Sequence, residues 1–293
     1  MRNDARSLLC DRRVPRIGLG IARLSLLDVP DSASAEAHID HALELGIRYL
    51  DTARAYTTRD HSSHSEALVA RAIARRQATD TVVIATKGGH YRSGDTWPID
   101  ATPHALRADC TASLAWLKVD RIDLYYLHHP DPRVPLEESM GALDDLRREG
   151  LIGAVGICNV TPDQLEIALQ SAPITAVQNP LSPYDTSSDA VLARCRELGI
   201  TFVAYSPLGG TTRSVPIDRL SATANDRAQE LGVEVESVIL AWVLDRLGNG
   251  IALTGASRSR SLRSSIAALE ITLATDERAA ITAEITLARA AAR

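Results

Sequence analysis

Eight short apolar runs recur along the chain, each separated from the next by a longer segment, and this alternation limits the fold more than any other feature. The runs lie at 16–20, 48–50, 82–86, 124–127, 152–157, 176–178, 201–204 and 250–253. Helices are expected near 34–45, 66–76, 103–117, 135–148, 162–169, 188–198 and 259–269, several with Pro in the first turn or Ser, Thr or Asp before it. Strands and helices in alternation demand a parallel sheet covered by helices. Eight such units fit a closed (β/α)8 barrel of the TIM type, and no Pro/Gly/Ser-rich linker divides residues 1–293, so one domain is expected. Two stretches break the rhythm. An insertion at 206–231 follows the seventh strand and ends in a helical segment at 221–231, and a final helix at 275–293 lies beyond the eighth unit.

In a parallel barrel the reactive groups gather where the strands end. The second run ends Tyr49-Leu50-Asp51, the third Ala85-Thr86-Lys87 and the fourth Tyr126-Leu127-His128. Later runs end at Cys158-Asn159, Gln178-Asn179, Tyr205-Ser206 and Thr254-Gly255. Taken singly, each has a structural explanation: Asp51 capping a loop, His128 satisfied within a core, Gln178 or Asn159 bonding turn backbone. Taken together, an anion, a cation and an imidazole at three neighbouring strand ends are costly polarity to bury without a function.

Composition sharpens the interest in Lys87. Of the 32 basic residues, lysine stands only at 87 and 118, and the rest are arginine. The arginine excess reads as general composition, but it leaves unexplained a lysine that closes an apolar run. Arginine holds its proton in a fixed planar fork, whereas lysine is a compact cation whose ionisation burial tunes, so a retained Lys87 calls for a chemical role. Lys118, in a polar turn, reads as surface. The net charge of −5, without a basic cluster, points away from nucleic-acid and anionic-membrane partners and toward a small ligand. Cysteines at 10, 110, 158 and 195 show no CxxC spacing, so neither a disulfide framework nor a structural zinc is indicated. Residues 1–20 lack the apolar core of a signal peptide, and no segment approaches the ~18 apolar residues of a membrane span. A cytoplasmic location is expected; the oligomeric state is left open.

Several motifs carry a resemblance. Gly46-Ile-Arg-Tyr-Leu-Asp51-Thr-Ala-Arg-Ala-Tyr56 with Ser65-Glu66, Ala85-Thr86-Lys87-Gly88, Asp123-Leu-Tyr-Tyr-Leu-His128-His-Pro-Asp131, Gly150-Leu-Ile-Gly-Ala-Val-Gly156-Ile-Cys-Asn159, Val177-Gln178-Asn179 and Tyr205-Ser206-Pro207-Leu208-Gly209 follow one another in order. The chain resembles the aldo-keto reductase superfamily over residues 14–270. The resemblance implies a catalytic tetrad of Asp51, Tyr56, Lys87 and His128, and reduction of an aldehyde, ketone or sugar-like carbonyl by direct hydride transfer. Tyr56 would donate the proton, although a free phenol has a pKa of about 10. Lys87 would lower that pKa, Asp51 would hold Lys87 charged and in place, and His128 would donate a hydrogen bond to the carbonyl oxygen.

The same resemblance implies the dinucleotide contacts. Tyr205 would stack on nicotinamide, Asn159 and Gln178 with Cys158 beside them would meet its carboxamide, and Ser206, Leu208 and Gly210 the pyrophosphate. Gly255, Ser257, Arg258, Ser261 and Ser265 fall in the adenosine-phosphate loop and its helix. A GxGxxG fingerprint is absent, since Gly18-Leu-Gly20 is followed by Ile21-Ala22-Arg23. The sequence departs from the family at Cys158, where serine is usual and a thiol is a weaker donor, and at Ser264 and Ser265, which replace Glu-Asn against adenine. Arginines at 258, 260 and 263 suit a 2′-phosphate and equally fit the general arginine excess. NADPH is expected over NADH, with Arg258 as the phosphate contact.

Asp60, His61 and His64, and His128-His129-Pro130-Asp131, suggest a metal. Metal-dependent barrel hydrolases, however, typically open with an HxH pair on the first strand, which 16–20 lacks, and no metal is expected. Residues 57–65 read as pocket rim. With a helical, alanine-rich end to the chain, substrate walls are expected from the loops after strands one to four and seven, with Tyr91, Trp97 and His129 as candidates. The alternative to an enzyme is an NADPH-binding accessory barrel with little turnover.

Overall fold

The computed structural model describes residues 5–26, 32–59, 64–78, 80–210 and 213–291. Eight parallel strands close into a barrel: β3 (Ile17–Gly20), β4 (Tyr49–Asp51), β5 (Val83–Gly88), β6 (Ile122–Leu127), β7 (Ile152–Cys158), β8 (Ile174–Pro180), β9 (Thr201–Tyr205) and β10 (Ile251–Thr254). They pair in sequence order, and β10 returns to β3. Every expected strand is present, shifted by at most a few residues at either end.

Alternation along each strand separates two layers. Leu50, Ile84, Tyr125, Val155, Val177 and Phe202 face outward into the buried shell beneath the helices. Tyr49, Val83, Leu124, Tyr126, Ala154, Ala176, Val203 and Ile251 face inward and form a separate interior core. The same inward register, carried one step toward the strand ends, presents Asp51, Lys87 and Gln178. The two interior tyrosine rings fit because their neighbours are glycines: a Cβ at Gly18 would lie 2.4 Å from the Tyr49 ring, and one at Gly156 would lie 2.3 Å from that of Tyr126.

The opposite end of the barrel is closed by a feature absent from the sequence reading. Antiparallel strands β1 (Arg6–Leu9) and β2 (Arg12–Pro15) form a hairpin whose Leu9 and Val14 pack into the interior core. Its two-residue turn places Cys10 and Asp11 at φ values of 49° and 61°, the left-handed pair that two-residue hairpins favour.

Around the barrel run α2 (Ser32–Glu44), α3 (Ser65–Arg76), α4 (Pro103–Leu117), α5 (Leu136–Arg148), α6 (Pro162–Ser171), α7 (Asp189–Leu198), α9 (Val235–Leu247) and α10 (Ser259–Ala267), while α1 (Ala22–Ser25) is a single turn after β3. Local chemistry starts and stops them. Thr161 and Gln164 form a reciprocal capping box on α6 with Pro162 in its first turn, and α4 begins with Thr102 accepting from the Ala105 amide and Pro103 in its first turn, without the return bond. Lys118 ends α4 at φ 56°, so the second lysine occupies a helix stop. Helix α9 was not expected from the sequence. Nine of its 13 residues are buried, so it shows no polar face from which a helical period is read. It is covered because α8 (Ala222–Leu231), within the expected insertion, and α10 pack against it, while α11 (Thr275–Ala291) packs on α8 and bonds across to α9. Trp242 Nε1 donates to Thr282 Oγ1 at 3.0 Å, and Arg278 meets Asp245 at 2.9 and 3.0 Å. No helix among the described residues is long and apolar enough to cross a membrane.

Candidate active site

Two cavities of nearly equal size open on the barrel, about 650 Å³ at the strand ends and about 660 Å³ at the hairpin end. Volume therefore does not choose between them; chemistry does. The first is floored by Asp51, Tyr56, His128 and Gln178, whereas the second lies among the hairpin and the strand starts, lined by residues such as Leu8, Cys10, Ile84 and Leu198, and holds none of the strand-end groups.

Beneath the first cavity Lys87 is fully buried and Asp51 is 1% exposed. Lys87 Nζ donates to Asp51 Oδ1 and, at 2.8 Å, to the Thr52 carbonyl. Its third proton is left for Tyr56, whose ring centroid lies 5.1 Å away. The other carboxylate oxygen of Asp51 accepts from Gln178 Nε2 at 2.7 Å and from Tyr49 Oη at 3.1 Å. Asp51 is thus saturated with donors and Lys87 is locked in a charged state. Attraction to Asp51 and Tyr56 overcomes burial and raises the lysine well above its ordinary range.

Tyr56 departs from the expectation that Lys87 would bring it below the value of a free phenol. Burial is the largest influence and raises it; the Lys87 charge and hydrogen bond pull it down, and the net direction is upward. An ammonium already neutralised by Asp51 offsets only part of the loss of water around a phenolate. His128 moves the other way: burial first, then the charges of Lys87, His90 and His129, hold it well below the ordinary imidazole range, so it is neutral. His129 falls to about 4 for the same leading reason.

The cavity extends from this floor across the barrel mouth. Asn159, at φ 58°, donates through Nδ2 to the His128 carbonyl at 2.9 Å and accepts from Tyr205 Oη at 2.8 Å, which fixes the Tyr205 ring against the wall. Asn179 clamps the adjoining turn by bonding both the amide and the carbonyl of Val160, at 3.1 and 2.7 Å. Ser206, Leu208 and Gly210 line the next stretch, in a turn closed by Gly209 N donating to the Ser206 carbonyl at 2.7 Å. Gly255, Ser257, Arg258, Ser261 and Ser265 line the far end, at the N-terminus of α10. That terminus has no side-chain cap, so no side chain occupies its first amides. Arg260 is engaged by Glu234 at 2.6 Å, whereas Arg258 meets no carboxylate among the described residues.

Two sets of expected contacts do not reach this cavity. Cys158 is 1% exposed and sits in the interior core; burial raises its thiol, and it does not line the cavity. Tyr91 and Trp97 are 42% and 39% exposed, on a hairpin after β5 that stands outside it. His90, three residues after Lys87, is the member of that hairpin that packs against His128 and His129, each at 4.8 Å between ring centroids. Arg23, Arg213 and Glu236 also line the cavity and were not singled out from sequence. Arg23 follows the first strand end, the signal by which it was findable. Asp60 and His61 lie outside the described residues, and His64 instead caps α3 and stacks on Trp116 at 5.2 Å.

Comparison with known proteins places this geometry. A model described as the aldo/keto reductase family matches residues 16–285. An uncharacterized oxidoreductase of Schizosaccharomyces pombe is 31% identical over 271 residues, covering 91% of this chain and 85% of that protein. Among solved structures, a thermostable aldo-keto reductase crystallised with the inhibitor epalrestat superposes with a TM-score of 0.82 at 28% identity, over 95% of this chain and 99% of that one. An aldo/keto reductase from Klebsiella pneumoniae, solved with NADP and acetate, shares the fold at a TM-score of 0.79 and 24% identity, over 94% of each chain.

Proposed function

We propose that this chain, which belongs to the aldo/keto reductase family, reduces a small aldehyde, ketone or sugar-like carbonyl to an alcohol with NADPH, using Tyr56 as the proton donor. The observation that carries this reading is the fully buried Lys87 ammonium, paired with Asp51 and turned toward a phenol on the cavity floor.

The residues present fit a dinucleotide. Asn159 and the carbonyl oxygen of Gln178, whose amide nitrogen is spent on Asp51, would hold the nicotinamide carboxamide, and the Tyr205 ring would stack beside it. Ser206, Leu208 and Gly210 would meet the pyrophosphate. The amides at the start of α10, with Ser257, Ser261 and Ser265, would take the adenosine end, and Arg258 a 2′-phosphate, which favours NADPH over NADH. When bound, that cofactor supplies the hydride.

The chain's own groups then act on the carbonyl. His128, neutral at physiological pH, donates a hydrogen bond to the oxygen and orients it without adding a charge beside Lys87. Tyr56, held protonated by burial, has its proton in place as negative charge develops on that oxygen. The phenolate left behind is stabilised by Lys87, so the ammonium acts at the transfer itself rather than by ionising the resting phenol. Asp51 positions Lys87 and, through Gln178, ties the proton donor to the carboxamide site.

The test is to follow NADPH and NADH absorbance with a panel of aldehydes, ketones and sugars, in the wild type and in Tyr56→Phe and Lys87→Met. Turnover that both substitutions suppress supports the proposal. Tight dinucleotide binding without turnover on any carbonyl refutes it in favour of an accessory role.

A further inference from the structure

His90, His128 and His129 present one ring nitrogen each such that the three lie within 4.8 Å of one another. Their rings form a compact group: His128 and His129 stack at 5.1 Å with a 20° interplanar angle, and His90 stands edge-on to both. We propose that these three imidazoles bind a divalent transition metal of the Zn²⁺ class and that the bound ion reversibly shuts off the reductase.

Three observations carry the site. His90 Nε2 lies 3.1 Å from the Trp97 carbonyl oxygen, which can only accept. Nε2 therefore holds the proton, and the lone pair falls on Nδ1, which is buried and has no hydrogen-bond partner. An imidazole whose distal N–H is anchored on a backbone carbonyl is the arrangement by which proteins orient metal-ligating histidines. His128 is 7% exposed, and its Nδ1 is likewise buried without a partner. His129, half-buried, is held at Nε2 only by a long bond, 3.4 Å from Asn159 Nδ2, whose other proton goes to the His128 carbonyl, so a metal would replace one weak partner there.

The donor set selects the ion. Three neutral imidazoles without a thiolate or carboxylate suit Zn²⁺, Cu²⁺ or Ni²⁺ and offer nothing to Mg²⁺ or Ca²⁺. A tetrahedral site with Zn–N near 2.0–2.1 Å sets its nitrogens roughly 3.3 Å apart. The cluster must contract, by rotation of the half-buried His90 and His129 toward the fixed His128. The nearby Lys87 charge is offset by Asp51, so the ion does not meet an unpaired cation. A fourth position opens to the cavity that His128 and His129 line. The proposal departs from the expectation of no metal, which weighed a first-strand motif and did not include His90.

The inhibitory half rests on the role of His128 proposed above: an imidazole held by a metal is not free to orient on a carbonyl. Binding is tested without any turnover, by titrating the purified protein with Zn²⁺ in a calorimeter and with Co²⁺ by its visible absorption, in the wild type, His90→Gln and His129→Gln. One tight site in the wild type, weakened at least tenfold in both variants while NADPH still binds, supports the site. Binding equal in all three proteins, or none in the wild type, overturns it. Turnover in the wild type should fall at least tenfold on saturation with Zn²⁺ and return with a chelator. Undiminished turnover at full occupancy overturns the inhibitory half, and absence of turnover before any metal is added refutes the reductase reading instead.

Discussion

Replacing Lys87 with methionine separates two effects of one buried charge. In the wild type Lys87 is fully buried and Asp51 1% exposed, so their pairing is shielded from water. Lys87→Met keeps the length and apolar stem of the side chain but strands the carboxylate. Leaving one partner of a buried pair unpaired typically costs about 3–5 kcal/mol. Asp51 keeps its bonds from Gln178 at 2.7 Å and Tyr49 at 3.1 Å, which places the loss at the lower end, about 3 kcal/mol. Asp51→Asn added to Lys87→Met removes the stranded charge and leaves an amide oxygen for the same two donors, so the double variant should recover about 2 kcal/mol relative to Lys87→Met alone. Turnover should not recover with it, because the phenolate still lacks its counter-charge; a loss of roughly 10²–10⁴ is expected in both proteins. Urea unfolding gives the stabilities and NADPH absorbance the rates. Strictly additive stability losses, or turnover restored in the double variant, would refute the argument.

Three further outcomes follow from the geometry. Arg258→Ala should weaken NADPH about tenfold and leave NADH unchanged, measured by dinucleotide fluorescence titration, since Arg258 is the arginine of its loop that faces the cavity. Leu240→Ala, at a fully buried position of α9, should cost about 2–5 kcal/mol in urea unfolding, and a near-neutral result would show that α9 is not packed as described. Asp131 is held down to about 2 by its hydrogen bonds from Arg133 and the Arg133 and Ala101 amides, so its contribution is present above the ordinary carboxylate value and lost as pH falls toward 2. Asp131→Asn should therefore be less stable than wild type at pH 6, with a gap that closes below about pH 4; a gap independent of pH contradicts the assignment.

The barrel was legible because its strands are short, apolar and regularly spaced, and because inward alternation brings chemistry to one end. Asp51, Lys87 and His128 were singled out by that rule, as the residues that close three consecutive strands, and they lie together at the floor of one cavity. What was missed lacked a periodic signal. Helix α9 buries most of its surface because α8 and α10 cover it, so its few polar residues trace no continuous face, and the β1–β2 hairpin is two short strands set among arginines. Cys158 illustrates a different limit. It stands one residue before Asn159, yet its side chain points into the barrel while Asn159 turns out to the mouth at φ 58°. The upward shift of Tyr56 depends on the balance of burial against one neutralised cation, which residue identities do not determine. His90 was overlooked because it follows the strand end on a hairpin, and only the folded hairpin sets it against His128.

Whether Tyr56 donates the proton is read by a single-turnover measurement on Tyr56→Phe with NADPH and the best carbonyl substrate found. The substitution removes one hydroxyl from a side chain that is not required to hold the cofactor. NADPH affinity should be unchanged and the hydride-transfer rate lowered by roughly 10²–10⁴. An unaltered rate in a folded, cofactor-binding Tyr56→Phe protein contradicts Tyr56 as the proton donor.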